Sequence, residues 1–145
     1  MEKKSNTKTA GTVALLAAII ILQCAVCMAI GFNRQYMFTD EVYSYGLANS
    51  EEYSFLDPGT NTAILEWTGP EYFLNYLQYN EEFPFSFHAA FVNQANDVHP
   101  PLYYCLLHIV CFFMPGLGYS LIPGTVLNAC LLPFIDILIF YIAKY

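Results

Sequence analysis

Apolar residues run in long blocks along most of this chain, and each block is bounded by charge or by Pro and Gly. The first block, Ala10 to Phe32 (AGTVALLAAIIILQCAVCMAIGF), is 23 residues without a charge. About 20 such residues carry a helix across the hydrocarbon core of a membrane. A transmembrane helix is therefore expected over 10–32, after a cytoplasmic tail over 1–9. A cleaved signal peptide is the competing reading. Its apolar region would run about 7–15 residues, whereas Val13 to Ile30 is longer, and Cys27-Met28-Ala29 is a poor cleavage site. An uncleaved anchor is expected.

The C-terminal third holds two further blocks. Leu102 to Met114 is 13 residues and stops at Pro115-Gly116-Leu117-Gly118, which as a helix is roughly 20 Å long. Runs of that length lie at an interface or in a core more often than they span. Residues 101–118 are accordingly expected to form a juxtamembrane helix and turn. A second span is expected over 119–143, its apolar run being Leu121 to Ala143, with 144–145 as a cytoplasmic end. Counting two spans puts Lys144 on the same side as the N-terminal lysines, as the positive-inside rule prefers.

Between the spans, residues 33–100 are organised by turn chemistry. Thr39 is suited to cap a helix opening with Asp40 and Glu41 and running to about Asn49, the two acids complementing the positive helix end. Asp57-Pro58-Gly59 marks a turn. Pro70 suits the first turn of a helix over 71–79, and a further helical stretch is expected around Phe87 to Gln94. Pro100-Pro101 ends one element and begins the next.

Charge then orients the chain. The basic residues are Lys3, Lys4, Lys8, Arg34 and Lys144, while ten of the twelve acids lie in 33–100, where Arg34 alone opposes them for a formal charge of −9. Lysines and arginines stay on the cytoplasmic side, so the tail is expected inside and the acidic segment outside, in a plasma membrane. That segment carries seven Tyr, seven Phe and Trp67, rings suited to the membrane interface. Over the whole chain 57% of residues are hydrophobic, 12% are charged, net charge is −7 and mean hydropathy is +0.42. These values exclude a disordered chain and a nucleic-acid binder. The fold class is thus an all-α membrane protein, with two transmembrane helices flanking an extracytoplasmic segment of short juxtamembrane helices.

Cys24, Cys27, Cys105, Cys111 and Cys130 all fall in apolar segments. An odd count with no cysteine in the outer segment speaks against a disulfide framework, and small buried residues are expected. Leu22-Gln23-Cys24 is not a convincing lipidation site, no sequon is present, and no phosphate loop, nucleophile elbow or His-Glu-x-x-His motif occurs.

Two acidic sites stand out. Asp40-Glu41 follows the first span by eight residues, and Asp97-Val98-His99 directly precedes the juxtamembrane helix. If the intervening helices fold back, the two can face each other at one level above the membrane. A carboxylate there can act as a general base, and the Asp97/His99 pair can bind a divalent ion. The alternative is helix capping by all three acids. His108, in an apolar run, is expected to be a packed histidine bonded to a backbone carbonyl; His88 gives no signal beyond loop chemistry. Asp136 is an acid inside a span, functional by default, with Pro133 freeing a carbonyl nearby. It is expected to pair with another helix, and the absence of a Lys or Arg at that depth points to a partner from elsewhere.

With a basic tail, one span, Phe38-Thr39-Asp40-Glu41-Val42-Tyr43-Ser44-Tyr45 and then Asn96-Asp97-Val98-His99-Pro100-Pro101-Leu102-Tyr103-Tyr104, the chain resembles the N-terminal part of a bacterial GT-C membrane glycosyltransferase, of the protein-mannosyltransferase and aminoarabinose-transferase-like group. The resemblance implies transfer of a sugar from a polyprenyl-phosphate carrier to an extracytoplasmic acceptor. It implies Asp40 with Glu41 as catalytic base or acceptor-binding acid, and Asp97, His99, Tyr43 and Tyr103 as substrate-binding residues, with Asp97 and His99 the candidates for any divalent metal. Members of that family have many more spans, and a polyprenyl phosphate needs Arg or Lys contacts where the outer segment offers Arg34 alone. The chain is accordingly expected to be an N-terminal fragment, inactive by itself, whose donor site lies in a missing C-terminal bundle. A small non-catalytic membrane protein whose acidic loop docks a partner is the alternative.

Overall fold

The computed structural model describes residues 2–50, 76–77, 85–95, 97–115 and 120–144. These residues are helical throughout apart from short connections, with no strand among them. The helices are α1 (Glu2–Asn33), α2 (Thr39–Asn49), α3 (Phe87–Ala95), α4 (Pro101–Phe113) and α5 (Ile122–Lys144). The chain divides into two units, one of residues Met1–Arg34 with Thr125–Tyr145 and one of Gln35–Gly124.

In the first unit, α1 and α5 are both long and apolar enough to cross a membrane, over Ala10–Asn33 and Ile122–Lys144. The first span begins and ends within a residue of the expected 10–32. The second starts three residues after the expected 119, where the Ser120 hydroxyl accepts the Ile122 N–H at 3.1 Å and Pro123 sits in a first turn that needs no donor from it. The two helices meet along a polar seam. Pro133 lies inside α5 and has no N–H to offer the carbonyl of Ala129, four residues back. Cys24 of α1 fills that role, its thiol donating to Ala129 O at 3.4 Å. One turn on, the Cys27 thiol faces Thr125 O at 4.0 Å, and Gly31 leaves its helix face open to the Thr125 side chain. Positions 24, 27 and 31 share one helix stripe, and close approach through small residues is how spans pack where no hydrophobic force acts between them. Gln23, on the same side, meets Asp136, so the acid does pair with the other helix. All five cysteines are free; Cys105 and Cys111 are buried as expected, but Cys24 and Cys27 are only half-buried and Cys130 is exposed.

In the second unit α2, α3 and α4 pack against one another. The helix α2 does not begin as the sequence suggested. Thr39 is its first helical residue, not its cap, and Phe38 precedes it in extended conformation. The capping is done from within the helix: the Glu41 carboxylate accepts the Phe38 N–H at 2.8 Å, the reciprocal half of a capping box. Ser86 caps α3, its hydroxyl accepting the His88 N–H at 3.2 Å. On α4, Tyr104, Leu107, His108 and Cys111 form the buried stripe, while Leu102 and Phe113 are 69% and 75% exposed. An apolar outer face on a helix too short to span suits the membrane interface. Of the expected helix over 71–79, only Tyr76 and Leu77 lie among the described residues. Both are helical and buried, and the Tyr76 ring lies over Gly46, where a side chain would have no room. The turn expected at Asp57-Pro58-Gly59 lies outside the described residues.

The buried end of α2 poses the main polar problem of this unit. Its last five residues, Tyr45 to Asn49, are all buried, and the final carbonyls of a helix have no partner within it. No glycine follows to fold the chain back over them. Side chains of the two neighbouring helices take their place. Asn93 of α3, fully buried, donates to Leu47 O at 2.9 Å and to Ser50 O at 3.3 Å. His108 of α4 bonds the Ala48 carbonyl, and its Nδ1 lies 3.1 Å from Asn49 Oδ1. The Ser86 N–H donates to His108 Nε2 at 3.4 Å, so the neutral ring with its proton on Nδ1 satisfies every contact. Asn49 in turn donates to Leu77 O at 3.3 Å. His108 is thus the packed, carbonyl-bonded histidine the sequence suggested.

Burial pushes the His108 imidazole below its usual pKa, outweighing the Ala48 bond that favours the cation. Below about pH 6.5 the unfolded chain takes up a proton that the folded unit refuses. The stability associated with neutral His108 is therefore complete above that pH and falls as pH drops towards the folded value, by up to about 1.4 kcal/mol per pH unit. Thermal unfolding followed between pH 7.5 and 5 should show this decline. His108→Gln should flatten it, and an equal decline in that variant would place its origin elsewhere.

Candidate functional site

Asp40 lies in the first turn of α2 and is exposed. Among the described residues its carboxylate has no hydrogen-bond partner, and the positive end of the helix favours its charge. Glu41, next to it, is half-buried and engaged with the Phe38 N–H. Four residues on, the Ser44 hydroxyl donates to the Asp40 carbonyl at 2.8 Å. The Ser44 side chain also lies near the hydroxyl of Tyr104 on α4.

The second acidic site stands at the head of α4. The Asp97 N–H donates to Gln94 O at 3.1 Å, which ties the acid to the end of α3. Asp97 Oδ1 accepts the Val98 N–H at 2.7 Å and Oδ2 lies 2.8 Å from His99 Nδ1. The His99 bond, with a smaller contribution from the Val98 N–H, holds the Asp97 carboxyl below the usual carboxylate range. His99 is 60% exposed. With Nδ1–H held by the carboxylate, Nε2 carries the ring's lone pair, the arrangement of an oriented base or ligand. The Tyr104 ring lies 6.3 Å from the His99 ring, centroid to centroid. Burial first, and then the negative charge of Asp97, push the Tyr104 hydroxyl above the usual tyrosine range.

The two sites singled out in the sequence are therefore joined within one helical unit. The helix α2, which opens with Asp40, packs on α4, which follows the Asp97–His99 pair, and the Tyr104 ring of α4 stands beside His99. Tyr103 is half-buried and edge-on to Tyr104, ring centroids 6.0 Å apart. Tyr43 is half-buried on α2. Ser44 and Tyr104 were not singled out from the sequence. The available signal was spacing: Ser44 follows Asp40 by one helical turn, and Tyr104 falls on the buried stripe of α4.

Among the described residues no three His, Cys, Asp or Glu side chains gather as a metal site. Asp97 and His99 supply one carboxylate and one imidazole already bonded to each other, which leaves His99 Nε2 and the remaining carboxylate lone pairs as the donors open to an ion. The capping alternative holds for Glu41, and Asp40 complements the positive end of α2 as that alternative has it. It does not account for Asp97, whose carboxylate turns to Val98 and His99 rather than to an N–H of α4 among the described residues. No protein family, no curated protein and no solved structure matches this chain.

Proposed function

We propose that the Gln35–Gly124 unit is the acceptor-side acidic site of a membrane glycosyltransferase of the GT-C type, acting on the extracytoplasmic face with a polyprenyl-phosphate sugar as donor. The observation that supports this reading is that the helix opening with the exposed Asp40 packs on the helix headed by the Asp97–His99 pair within one unit. In the reaction, Asp40 takes the proton of an acceptor hydroxyl as the acceptor oxygen attacks the anomeric carbon. The bond from that carbon to the phosphate oxygen breaks, and polyprenyl phosphate leaves with the electron pair, so the new glycosidic bond has inverted configuration. Asp40 suits the role better than Glu41, because its carboxylate is exposed and has no hydrogen-bond partner among the described residues, whereas Glu41 holds the start of α2. His99 Nε2 is placed to orient a hydroxyl, with Tyr43 and Tyr103 offering ring faces to the sugar.

The phosphate of the donor requires cationic, charge-assisted contacts. Arg34 is the single Lys or Arg in residues 33–100, so most of those contacts belong to other membrane segments. The chain supplies the acidic half of the site and works together with a cationic half. The test uses membranes of the source cells with this chain deleted and then restored, supplied with a radiolabelled hexosyl or pentosyl monophosphopolyprenol. Label should reach an extracytoplasmic acceptor only when the chain is restored. Transfer that does not depend on the chain with either donor would overturn the reading.

A further inference from the structure

We propose that Asp136 is the docking point for a third transmembrane helix, one that carries a Lys or Arg at mid-depth. Asp136 lies fourteen residues into α5 and eight before Lys144. Gln23 faces it from a comparable depth of α1, thirteen residues after Ala10 and ten before Asn33. With its amide turned so that nitrogen meets the acid, Gln23 donates to Asp136 Oδ2 at 2.5 Å and Oδ1 at 3.3 Å.

That single donor fixes the acid but does not neutralise it. A carboxylate has about four lone-pair positions, and a neutral amide occupies two of them without bringing charge. Ionised acids within spans pair with a base or line a polar interior. This chain has no such base to give: its five cationic residues are Lys3, Lys4, Lys8, Arg34 and Lys144, all at span ends. A second copy is therefore not the occupant, because it brings the same acid and no mid-span cation. Lipid tails bring no charge at all. The surface around the pair is open to another helix, since Ile135, Leu138 and Ile139 on α5 are 50%, 60% and 58% exposed and Leu22 and Val26 on α1 are 65% and 48% exposed. The Cys24 and Cys27 thiols already close the α1–α5 seam, which leaves the carboxylate as the polar feature offered to a newcomer. Charge complementarity selects a cationic helix, with Arg the better fit because its fork matches a carboxylate.

The experiment places the full chain, labelled with a donor fluorophore, in phosphatidylcholine vesicles with acceptor-labelled synthetic 23-residue poly-leucine helices. Their central residue is Arg, Gln or Leu. The Arg helix should associate at least tenfold more tightly than the Leu helix, with the Gln helix near the Leu one. The advantage should vanish in Asp136→Asn and survive in Gln23→Leu and Asp136→Glu. Asp136→Asn keeps an amide able to bond Gln23, and α1–α5 energy transfer within the chain checks that the spans still pair. Equal binding of Arg and Leu helices, as a carboxyl that is protonated and satisfied by Gln23 would give, overturns the proposal. So does an Arg advantage that persists in Asp136→Asn.

Discussion

Asp40→Asn in the membrane-embedded protein is expected to lower chain-dependent sugar transfer by about 10²- to 10⁴-fold, the range spanned by removal of a general base. Asn keeps the size and shape of Asp but cannot take a proton. The structural cost is small, because the Asp40 carboxylate is exposed and bonded to nothing among the described residues, and its interaction with the helix end is worth about 0.3–1 kcal/mol. The neighbouring acid provides the control. Glu41→Gln retains an oxygen for the Phe38 N–H and so keeps the start of α2, and it should retain most of the transfer. Ser44→Ala removes the hydroxyl that bonds the Asp40 carbonyl and lies near Tyr104 without touching the proton; it should raise KM and leave the pH profile of kcat in place, as expected of a positioning residue. Transfer rates in membranes with equal amounts of each variant decide the matter. If Asp40→Asn turns over like the wild type, the acids of this segment serve to dock a partner rather than to move a proton.

The parts of this protein that the sequence made legible are those written in long-range hydrophobicity. Both long apolar helices, α1 and α5, were readable from runs that are almost free of charge, and α4 from a run too short to cross a membrane. The position of α2 followed from its leading acids, yet its cap did not: Thr39 has the right side chain, but Glu41 reaches back to Phe38 instead, and a pattern rule cannot rank two acceptors two residues apart. Least legible were the amides. Asn49 and Asn93 look like ordinary polar residues at helical positions, and nothing local says that they face inward. Their roles are set by carbonyls contributed by other helices, such as Leu47 O for Asn93 and Leu77 O for Asn49. A usable signal did exist at the end of α2. An apolar helix end without a following glycine must find donors from elsewhere if buried, and buried Asn and His are the residues able to supply them. The approach of Ser44 to Tyr104 was invisible for the same reason, being a meeting of two helices at positions sixty residues apart in sequence.

Asn93→Leu is expected to loosen the second unit more than any surface change. Leu has the heavy-atom branching of Asn but is larger, so no cavity opens and the effect combines lost hydrogen bonds with some crowding. Leu47 O, which is buried, and Ser50 O, which is part-buried, lose their donor, and each buried unpaired group costs about 1–3 kcal/mol. One relief partly offsets this: Asn93 Oδ1 is itself buried without a partner, and the substitution removes that orphan. The balance is a loss of about 2–4 kcal/mol, a large share of what a small helical unit can hold. Because Asn93 closes the end of α2, the loss should appear there first. Hydrogen exchange of peptides spanning 39–50 should quicken by about 30- to 700-fold, the ratio corresponding to that energy, while exchange across 10–33 stays as it was. Asn93→Asp should be worse, since it sets an acceptor against two carbonyl oxygens and buries a charge. A change of less than about threefold in the 39–50 peptides would mean that α2 holds its end by other contacts. In that case the Asp40 turn would not owe its placement to this network.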